Sequence, residues 1–401
     1  MAHAGIDPIG QLAENRFLFE KNEQRGVFIR HLNLQNFRNY DHLSLPIHSD
    51  HVVLTGQNGI GKTNLMEAVS MLAPGKGLRQ AKLIDMLKDH QPHKSWVVSA
   101  VFDEDGHEIE IGTAYQPDPT KKMEKRQIHI NKVPIKSQDE LGEICSIVWL
   151  IPAMDRLFSG EPAGRRRFFD RLVQSFNPRH AGNCVAYSNA LRQWNGLIKE
   201  HKFDEKWLSA LEKTLGKCGE LIYTARQNYL VKLQRKLSLN RPEFPTALLS
   251  FSGKFNAEQK TGEELADLIS THFKKSRQFV ADNISISGIH NIDLQAIHSV
   301  KNRQASLCST GEQKALVISI LLAHIETLSE LQSRLPLILF DELGAQLDIH
   351  KTEALLELLN EFKTQIWLTG TSKTTFSAWK DNAQILQLDN FQNKATLEVA
   401  S

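Results

Sequence analysis

The segment from Gly56 to Thr63 constrains the fold of this chain more than any other part of the sequence. It reads GQNGIGKT and matches the pattern GxxxxGK(S/T), which ordinary residue frequencies produce by chance in roughly one per cent of chains this long. The apolar run Val52 to Leu54 precedes it, and helical periodicity begins at Lys62. A buried strand, a glycine-rich turn and a helix in this order predict a phosphate-binding loop in an α/β protein.

Each residue type in this loop has a chemical reason to be there. Glycine allows consecutive backbone N–H groups to turn inward on phosphate oxygens, and the start of the following helix favours anions. Lys62 would reach the β- and γ-phosphates, and the Thr63 hydroxyl would ligate Mg²⁺. We therefore predict that ATP is bound by the residues Gly56, Gln57, Asn58, Gly59, Ile60, Gly61, Lys62 and Thr63.

A phosphate-binding loop needs a second acidic residue to hold the metal ion. The apolar run Leu337 to Phe340 is followed by Asp341 and Glu342, at the place where a buried strand would end. Asp341 is the expected Mg²⁺ ligand. Glu342 is the expected catalytic residue, because a carboxylate near the γ-phosphate can accept a proton from the attacking water. Alone, such a run is a common strand end; together with the phosphate-binding loop it indicates an ATPase site.

The segment from Ser309 to Lys314, STGEQK, opens a helical pattern and allows two interpretations. Serine is a favoured N-cap residue, so the segment is typical of a simple helix cap. The same helix start could also bind an anion. It is too remote in sequence from the phosphate-binding loop to be assumed to share its nucleotide, so that anion would belong to a nucleotide on another subunit. Taken alone, the residues favour the cap.

Length and composition limit the classes of protein to be considered. The chain has 401 residues, more than one hydrophobic core usually serves, so we expect two domains or one domain with a large insertion. A formal net charge of +2 gives no general attraction to a polyanion, so DNA binding would need local basic patches. The four cysteines include no CxxC pair, and the sequence has neither a signal peptide nor an apolar stretch long enough for a bilayer. We therefore expect a cytoplasmic protein.

Strand-like, helical and alternating patterns follow one another along the chain. Strand patterns dominate residues 27–152, long helices dominate 153–284, and helices alternate with strands over 285–401, which predicts a parallel, doubly wound sheet. We therefore predict an α/β head assembled from 27–152 and 285–401, with a helical lobe, 153–284, inserted between them. Residues 1–26 are predicted to form an N-terminal extension.

These motifs occur in an order that resembles the ABC-type ATPase heads of the SMC and RecF group: GxNGxGKT, a helical insertion, SxGEQ, and an apolar strand that ends in Asp-Glu. Three stretches narrow the resemblance to the RecF family: LQNFRNY at 34–40, PAMDRLFSG at 152–160 with RRRFFD at 165–170, and GIH at 288–290. The similarity extends from 27 to 399. It implies an ABC-type P-loop ATPase head with an inserted helical lobe.

The resemblance also implies roles for residues that spacing alone does not assign. A signature motif that closes on the ATP of a partner head would consist of Ser309, Gly311 and Glu312. Asp348 would lie in the D-loop beside it. Arg38 and Asn39 would contact the nucleotide, with a solvated turn as the alternative for these two. Two heads would then enclose two ATP molecules.

In two places the sequence departs from related heads. The position of the switch histidine of transporter-type heads reads Thr369-Gly370-Thr371-Ser372, so the switch candidate is the hydroxyl of Thr371. The sequence near Ile151 has no glutamine that matches a Q-loop, and we assign no residue to that role.

The resemblance implies a DNA repair and replication protein. It would bind ATP, Mg²⁺ and DNA, both single-stranded and at gaps or duplex junctions, dimerise on ATP, and act as a weak DNA-stimulated ATPase whose hydrolysis is a switch. In gap repair, recombination and the SOS response it would assist recombinase loading with RecR, and indirectly with RecO and RecA. The predicted DNA surface consists of basic residues of the helical lobe, namely Arg165, Arg166, Arg167, Lys274 and Lys275. An ordinary solvated face is the alternative for them.

Two other functions fit parts of the sequence. A structural DNA clamp of the SMC type would share the head, but the longest predicted helix, 203–237, is too short for an extended coiled-coil arm. An ATPase subunit of a membrane transporter would also share the head. The missing switch histidine and the large inserted lobe argue against it.

Overall fold

The computed structural model describes most of the chain. The described residues are 25–90, 94–117, 125–200, 204–239, 241, 243–253, 255, 257, 260–281, 286–332, 334–343, 347–372, 375–376, 379, 382–391 and 394–399. The predicted N-terminal extension lies outside them except for Arg25 and Gly26. These two residues pair in parallel with Arg334 and Leu335, so they belong to the folded part.

Runs of strands and runs of helices follow one another along the described chain. The strands are β1 (Arg25–Gly26), β2 (Phe28–Phe37), β3 (Tyr40–Pro46), β4 (His51–Thr55), β5 (Trp96–Glu104), β6 (His107–Tyr115), β7 (Gln127–Ile130), β8 (Val133–Pro134), β9 (Ile147–Leu150), β10 (Ala247–Ser252), β11 (Asp293–His298), β12 (Arg303–Gln304), β13 (Arg334–Leu335), β14 (Leu337–Phe340), β15 (Ile366–Thr369), β16 (Ala383–Phe391) and β17 (Lys394–Val399). The helices are α1 (Lys62–Ser70), α2 (Gln138–Ile144), α3 (Pro162–Phe176), α4 (Arg179–Lys199), α5 (Glu205–Leu237), α6 (Gly262–Lys275), α7 (Arg277–Ala281), α8 (Thr310–Leu331) and α9 (Ile349–Asn360).

The sheet that carries the predicted nucleotide site has the strand order β17-β16-β4-β15-β14-β9. β4 pairs in parallel with β15 and β16, β14 pairs in parallel with β15 and β9, and β17 is antiparallel. Every residue of β9, β14 and β15 is buried, as expected for parallel strands that are covered on both faces. The sheet combines strands from both ends of the chain, which confirms the predicted α/β architecture.

A second sheet is antiparallel, and buried and partly exposed residues alternate along its strands. Its order is β3-β2-β5-β6-β7-β8, and all neighbours are antiparallel. Inward and outward residues alternate along β5, the pattern of a strand with one face in the core. The turn between β2 and β3 contains Arg38 and Asn39 and brings them next to the phosphate-binding loop.

In the helical region, α3 to α7, helices α4 to α7 build a core of their own, whereas the buried apolar residues of α3 belong to the main core of the molecule. Helix α5 confirms the predicted long helix; Phe203, where that prediction began, lies outside the described residues. Leu211, Leu215 and Ile222 face inward as the helical spacing predicts. Trp207 lies one turn before Leu211 and is 50% exposed, so the buried stripe begins at Leu208.

Strand β10 was not predicted, because the residues around it have a helical composition. It pairs antiparallel with β11, which lies beyond the predicted boundary at 284/285. Ala247 and Leu249 are buried and Leu248 is exposed, the alternation of a strand with one buried face. A short strand therefore lies within the part of the chain where long helices were expected to dominate, and the exact domain limits stay a prediction.

Candidate nucleotide-binding site

The loop between β4 and α1 has the backbone conformation that its glycines permit. Gly56, Gly59 and Gly61 have φ angles of 138°, 83° and 118°, in the region that residues with side chains rarely adopt. A Cβ at Gly61 would lie 2.5 Å from Asn39 Nδ2, so the β2–β3 turn leaves no room for a side chain there. The loop residues exposed to solvent are Gln57, Asn58 and Gly59.

Lys62, the first residue of α1, is buried beside the loop. Its Nζ donates to the carbonyl oxygens of Gly56 at 2.6 Å and Gln57 at 2.9 Å. Burial lowers the pKa of Lys62, and the nearby carboxylates of Glu342 and Asp341 oppose that shift. Neutral carbonyls thus hold the ammonium inside the loop, where phosphate oxygens could accept stronger hydrogen bonds from it, because both partners would then be charged.

Two hydroxyl groups flank the Asp341 carboxylate. Thr63 Oγ1 donates to Asp341 Oδ2 at 2.8 Å, and Thr369 Oγ1 donates to Asp341 Oδ1 at 2.7 Å. Because β4, β15 and β14 are neighbouring parallel strands, their carboxyl ends bring these three residues to one edge of the sheet. Hydroxyl and carboxylate oxygens are hard ligands that suit Mg²⁺, so Thr63 and Asp341 fit the metal role predicted for them.

Glu342 directly follows Asp341 and has a φ angle of 52°, uncommon for a residue with a side chain and frequent at functional sites. Its backbone N–H donates to Thr369 Oγ1 at 2.8 Å. Thr369 therefore orients both predicted acids, although the sequence motifs assign it no role. Its position at the end of an apolar strand similar to the one before Asp341 is the signal that could have indicated it.

The β2–β3 turn supports the phosphate-binding loop from outside. Asn39 Nδ2 donates to the carbonyl oxygen of Ile60 at 3.1 Å, and the Ile60 side chain is buried. Arg38 instead donates to both carboxylate oxygens of Glu67 in α1, each at 2.8 Å. The turn is thus hydrogen-bonded both to the phosphate-binding loop and to helix α1. Direct contacts of Arg38 and Asn39 with a nucleotide stay predictions.

The predicted signature segment begins α8 with a complete cap. Ser309 Oγ accepts from the N–H of Glu312 at 3.4 Å, and the Glu312 carboxylate accepts from the N–H of Ser309 at 2.8 Å. This capping box confirms the simple interpretation of the segment. Hydrogen bonds from Lys301 and Ser309 lower the pKa of Glu312 to about 2. Ser309 is exposed and Gly311 is half-buried, and their predicted role towards a second copy stays a prediction.

The last two predicted residues lie near the start of α9 and beyond β15. Asp348 caps α9, because its Oδ1 accepts from the N–H of Lys351 and its Oδ2 from Lys351 Nζ, both at 2.8 Å. Thr371 is exposed, two residues beyond the end of β15. The capping role of Asp348 is structural; the D-loop role of Asp348 and the switch role of Thr371 stay predictions.

Comparison with known proteins places these motifs in a family. The family described as "RecF/RecN/SMC N terminal domain" matches residues 28–394. The "DNA replication and repair protein RecF" of Rhizobium rhizogenes is 38% identical over 362 residues, which cover 89% of this chain and 96% of the relative. The protein of the same description from Rhizobium meliloti is 38% identical over 375 residues, which cover 91% and 98%. This chain belongs to the RecF family.

Membership of the RecF family confirms the predicted family and its function in DNA replication and repair. The fold is similar to that in "Structure of the recombination mediator protein RecF-ATPrS in RecFOR pathway", with a TM-score of 0.79, 21% identity, and 94% of this chain and 99% of that chain covered. The structure described as "Crystal structure of the SmcHead bound to the C-winged helix domain of ScpA" gives a TM-score of 0.50 at 16% identity, with 93% of this chain and 98% of that chain covered. The ABC-type head fold is therefore confirmed. Within the described parts of the chain, we find no helix that combines the length and the apolar character needed to cross a membrane.

Arg165 of this RecF-family chain is buried. Its Nε and Nη2 donate to the two carboxylate oxygens of Asp293 at 2.9 Å and 2.7 Å, and its Nη1 donates to the carbonyls of Phe158 and Gly160 at 3.1 Å and 2.5 Å. It lies on the face of α3 that also buries Leu172, two turns later. These contacts give the guanidinium a structural role, so we leave Arg165 out of the proposed DNA surface. The other predicted DNA residues are at least partly exposed: Arg166, Arg167, Lys274 and Lys275.

Proposed function

We propose that this chain is an ATP-controlled DNA-binding protein of gap repair, in which ATP bound and hydrolysed between two copies regulates the grip on DNA. The observation that carries the proposal is the convergence of the phosphate-binding loop with Asp341 and Glu342 at one edge of the parallel sheet. A lysine within a glycine-rich loop and an adjacent pair of carboxylates are the groups that hold Mg-ATP in this class of site.

The residues of the site divide the work on ATP. Lys62 and the backbone N–H groups of the loop would hold the phosphates. Thr63 and Asp341 would hold Mg²⁺, which when bound offsets the charge of the phosphates. Glu342 would accept the proton of the attacking water. Thr369 keeps the two acids oriented through its hydroxyl group. In this proposal hydrolysis is slow, is accelerated by DNA and serves as a switch.

Exposed groups beside the signature segment support a role for a second copy. Ser309 begins α8 at the surface, and Leu307, two residues earlier, is 59% exposed. Ile349, which follows the predicted D-loop residue Asp348, is 75% exposed. A second copy would cover these apolar side chains. It would also bring a nucleotide to the helix start formed by Ser309, Gly311 and Glu312, where the partial positive charge favours an anion.

DNA would be held by local basic groups, because a net charge of +2 gives the whole molecule little attraction for a polyanion. The exposed members of the predicted surface, Arg167, Lys274 and Lys275, are the first candidates. A solved relative is described as a recombination mediator protein in the RecFOR pathway. On that basis we propose RecR as the direct partner and RecO and RecA as indirect ones, with single-stranded, gapped or junction DNA as the substrate.

The variant Ser309→Arg tests the two-copy mechanism, because it places a long side chain where two copies must close. ATP binding through Lys62 and Thr63 should survive, whereas ATP-induced dimerisation and hydrolysis should both fail. Binding of a fluorescent ATP analogue and the mass from light scattering would be measured on one folded sample, with and without gapped DNA.

Asp204→Arg is the matched control, because Asp204 is also an N-cap residue, at the start of α5. Loss of a helix cap costs about 1 kcal/mol of stability, so the control should fold and dimerise with ATP as the wild type does. A Ser309→Arg protein that dimerises normally would contradict the two-copy mechanism. A wild-type protein that binds no ATP would contradict the proposal as a whole.

A further inference from the structure

A buried ion pair lies beside the nucleotide site and has no part in the roles described above. The Nζ of Lys314, near the start of α8, lies 3.6 Å from Oδ1 of Asp155. Only 1% of the Lys314 side chain and 5% of the Asp155 side chain are exposed. Lysine and aspartate are among the residues least often buried, so the position of this pair requires a physical reason.

Asp155 reaches this position because of the strand order. β9 lies beside β14 in parallel, and the N–H of Asp341 donates to the carbonyl of Leu150, the last residue of β9, at 2.9 Å. The chain that follows β9 therefore leaves the sheet at the same edge as Asp341 and Glu342. Asp155 lies in this segment, in a short turn. Its own N–H group donates to the carbonyl oxygen of residue 152 at 3.1 Å.

The segment that carries Asp155 is fixed at its far end as well. Arg165 donates to the carbonyls of Phe158 and Gly160, and the carboxylate of Asp293 holds its guanidinium in place. The arginine expected to contact DNA thus anchors the loop next to the nucleotide site. Asp155 is held in one place by this anchor and by the strand that precedes it.

The charges of the two predicted acids act on the pair. Burial raises the pKa of Asp155, Lys314 opposes that shift, and Glu342 adds to it. Burial lowers the pKa of Lys314, and the carboxylates of Asp155, Glu342 and Asp341 oppose that shift. Because the chain after β9 leaves the sheet at the edge that carries Asp341 and Glu342, the ion pair lies where its charges act on the electrostatic potential at the metal end of the site.

Fold stability does not explain the pair. Removing two charges from water costs several kcal/mol for each ion, and well-packed apolar residues of similar volume often serve a core equally well or better. An ion pair kept at such a cost is better explained by what its charges act on. Here that is the pair of acids predicted to hold Mg²⁺ and to activate water.

We propose that Lys314 and Asp155 are positioning residues of the nucleotide site. The pair sets the potential that Mg²⁺ meets at Asp341 and Glu342, and it ties helix α8 to that end of the site. Because Ser309 begins the same helix, a change at the metal end reaches the signature segment through one continuous element. This role rests on the proposed ATP binding and adds two residues to it.

A titration with Mg²⁺ distinguishes this role from a purely structural one. Lys314→Met removes a positive charge near the metal ligands, so half-maximal binding of a fluorescent ATP analogue should need about tenfold less Mg²⁺. Asp155→Asn removes a negative charge, so half-maximal binding should need about tenfold more. The double variant restores the balance of charge and should return close to the wild-type midpoint. A pair that only stabilised the fold would change the melting temperature without these opposite shifts.

Lys236→Met is the matched control, because Lys236 forms an ion pair with Glu330 towards the other end of α8. Its Mg²⁺ midpoint should equal that of the wild type. Folded Lys314→Met and Asp155→Asn proteins with wild-type midpoints would overturn the proposal. If Lys314→Met does not fold, Asp155→Asn decides alone, since asparagine has nearly the same volume. A wild-type protein that binds the analogue at no Mg²⁺ concentration would refute ATP binding itself, and the role of the pair with it.

Discussion

The nucleotide site and the helical region both hold charged side chains out of water, but they neutralise them differently. In the helical region Arg226 donates to both carboxylate oxygens of Asp170, each at 2.8 Å, and His180 Nε2 lies 2.9 Å from the same carboxylate. At the nucleotide site Lys62 donates to backbone carbonyls, and Asp341 accepts from hydroxyl groups. The charges of the helical region are thus paired with opposite charges of the same chain, whereas Lys62 and Asp341 at the nucleotide site are hydrogen-bonded to neutral groups.

The difference shows how to separate a structural charge from a functional one. A charge matched by an opposite charge in fork geometry already has its strongest hydrogen bonds within the chain and has little to gain from a ligand. A charge held by neutral groups at the carboxyl edge of a parallel sheet can still gain a great deal from a charged ligand. Arg277 belongs to the first class, since it donates to both oxygens of Glu212 at 2.7 Å.

Of the variants that test this difference, Lys62→Ala at the nucleotide site should have the largest effect, which is the loss of ATP binding. Removal of the ammonium takes away the charge that no neighbour replaces at the β- and γ-phosphates, so Mg-ATP binding and every ATP-dependent step should be lost. The fold should remain, because the hydrogen bonds that the ammonium donates to two backbone carbonyls are offset in part by the cost of keeping its charge out of water. Calorimetric titration with ATP and thermal unfolding of one sample would check both statements. Undiminished ATP affinity would refute the assignment.

Glu342→Gln should separate binding from chemistry within the same site. The amide keeps the shape of the side chain but cannot accept the proton of the attacking water, so hydrolysis should slow by about 10²-fold to 10⁴-fold while ATP still binds. The ATP-bound dimer should then accumulate, which light scattering would detect. Asp341→Asn offers the contrast, because it should weaken Mg²⁺-dependent binding itself. Wild-type turnover in Glu342→Gln would show that Glu342 is structural.

The fold was predictable from the sequence where its signals are local. The strand predicted at 337–340 has the same bounds in the structure, because buried parallel strands are continuous apolar runs. Strand β10 was not predicted, because it is short and half-exposed and lies between long helices. Its partner β11 lies far along the chain. Pairing over such a distance leaves no trace in local periodicity.

The site was predictable where a ligand dictates residue types, and less so where the chain itself supplies the partners. The loop from Gly56 to Thr63 follows from the chemistry of phosphate. Thr369 has no motif, because its role depends on a carboxylate 28 residues away that a neighbouring strand positions. Arg165 stands in a run of three arginines that suggests a solvated surface. Its partner Asp293, 128 residues further along, is what draws it into the interior.

Arg226→Met should have the opposite effect to Lys62→Ala: a loss of stability with ATP binding retained. Breaking a buried ion pair from one side typically costs about 3–5 kcal/mol, because Asp170 is left uncompensated. Burial raises the pKa of Asp170, but hydrogen bonds from His180 and Arg226 outweigh it and hold the pKa at about 2, below its ordinary 3.8.

The depressed pKa gives this prediction a pH dependence. A group whose pKa is lowered by folding contributes stability that is fully present above its unfolded pKa and is lost as the pH falls towards the folded value. The difference in the free energy of unfolding between wild type and Arg226→Met should therefore shrink as the pH falls from 5 towards 3. Urea unfolding at several pH values would measure it. A difference that grew on acidification would contradict the assignment of Asp170 as the charged partner.

Thr369→Val should give the smallest effect, because it changes neither a ligand nor a charge. Valine keeps the shape of the side chain but removes the hydroxyl group that donates to Asp341 and accepts from the N–H of Glu342. A hydrogen bond to a charged group contributes about 1.5–3 kcal/mol, and part of it should appear as misplacement of the two acids. We expect hydrolysis to slow about tenfold with little change in ATP affinity, and Thr369→Ser to restore most of the rate.

The control for Thr369→Val is Thr364→Val, two residues before the start of the same strand. The Thr364 hydroxyl is buried and donates to the carbonyl of Pro336 at 2.8 Å, so its loss should lower stability by a similar amount without touching the acids. If both variants lose stability but only Thr369→Val loses turnover, the hydroxyl group acts through the geometry of Asp341 and Glu342. If both keep full turnover, Thr369 belongs with the matched, structural groups of the helical region, and the orienting network at the nucleotide site is smaller than the hydrogen bonds suggest.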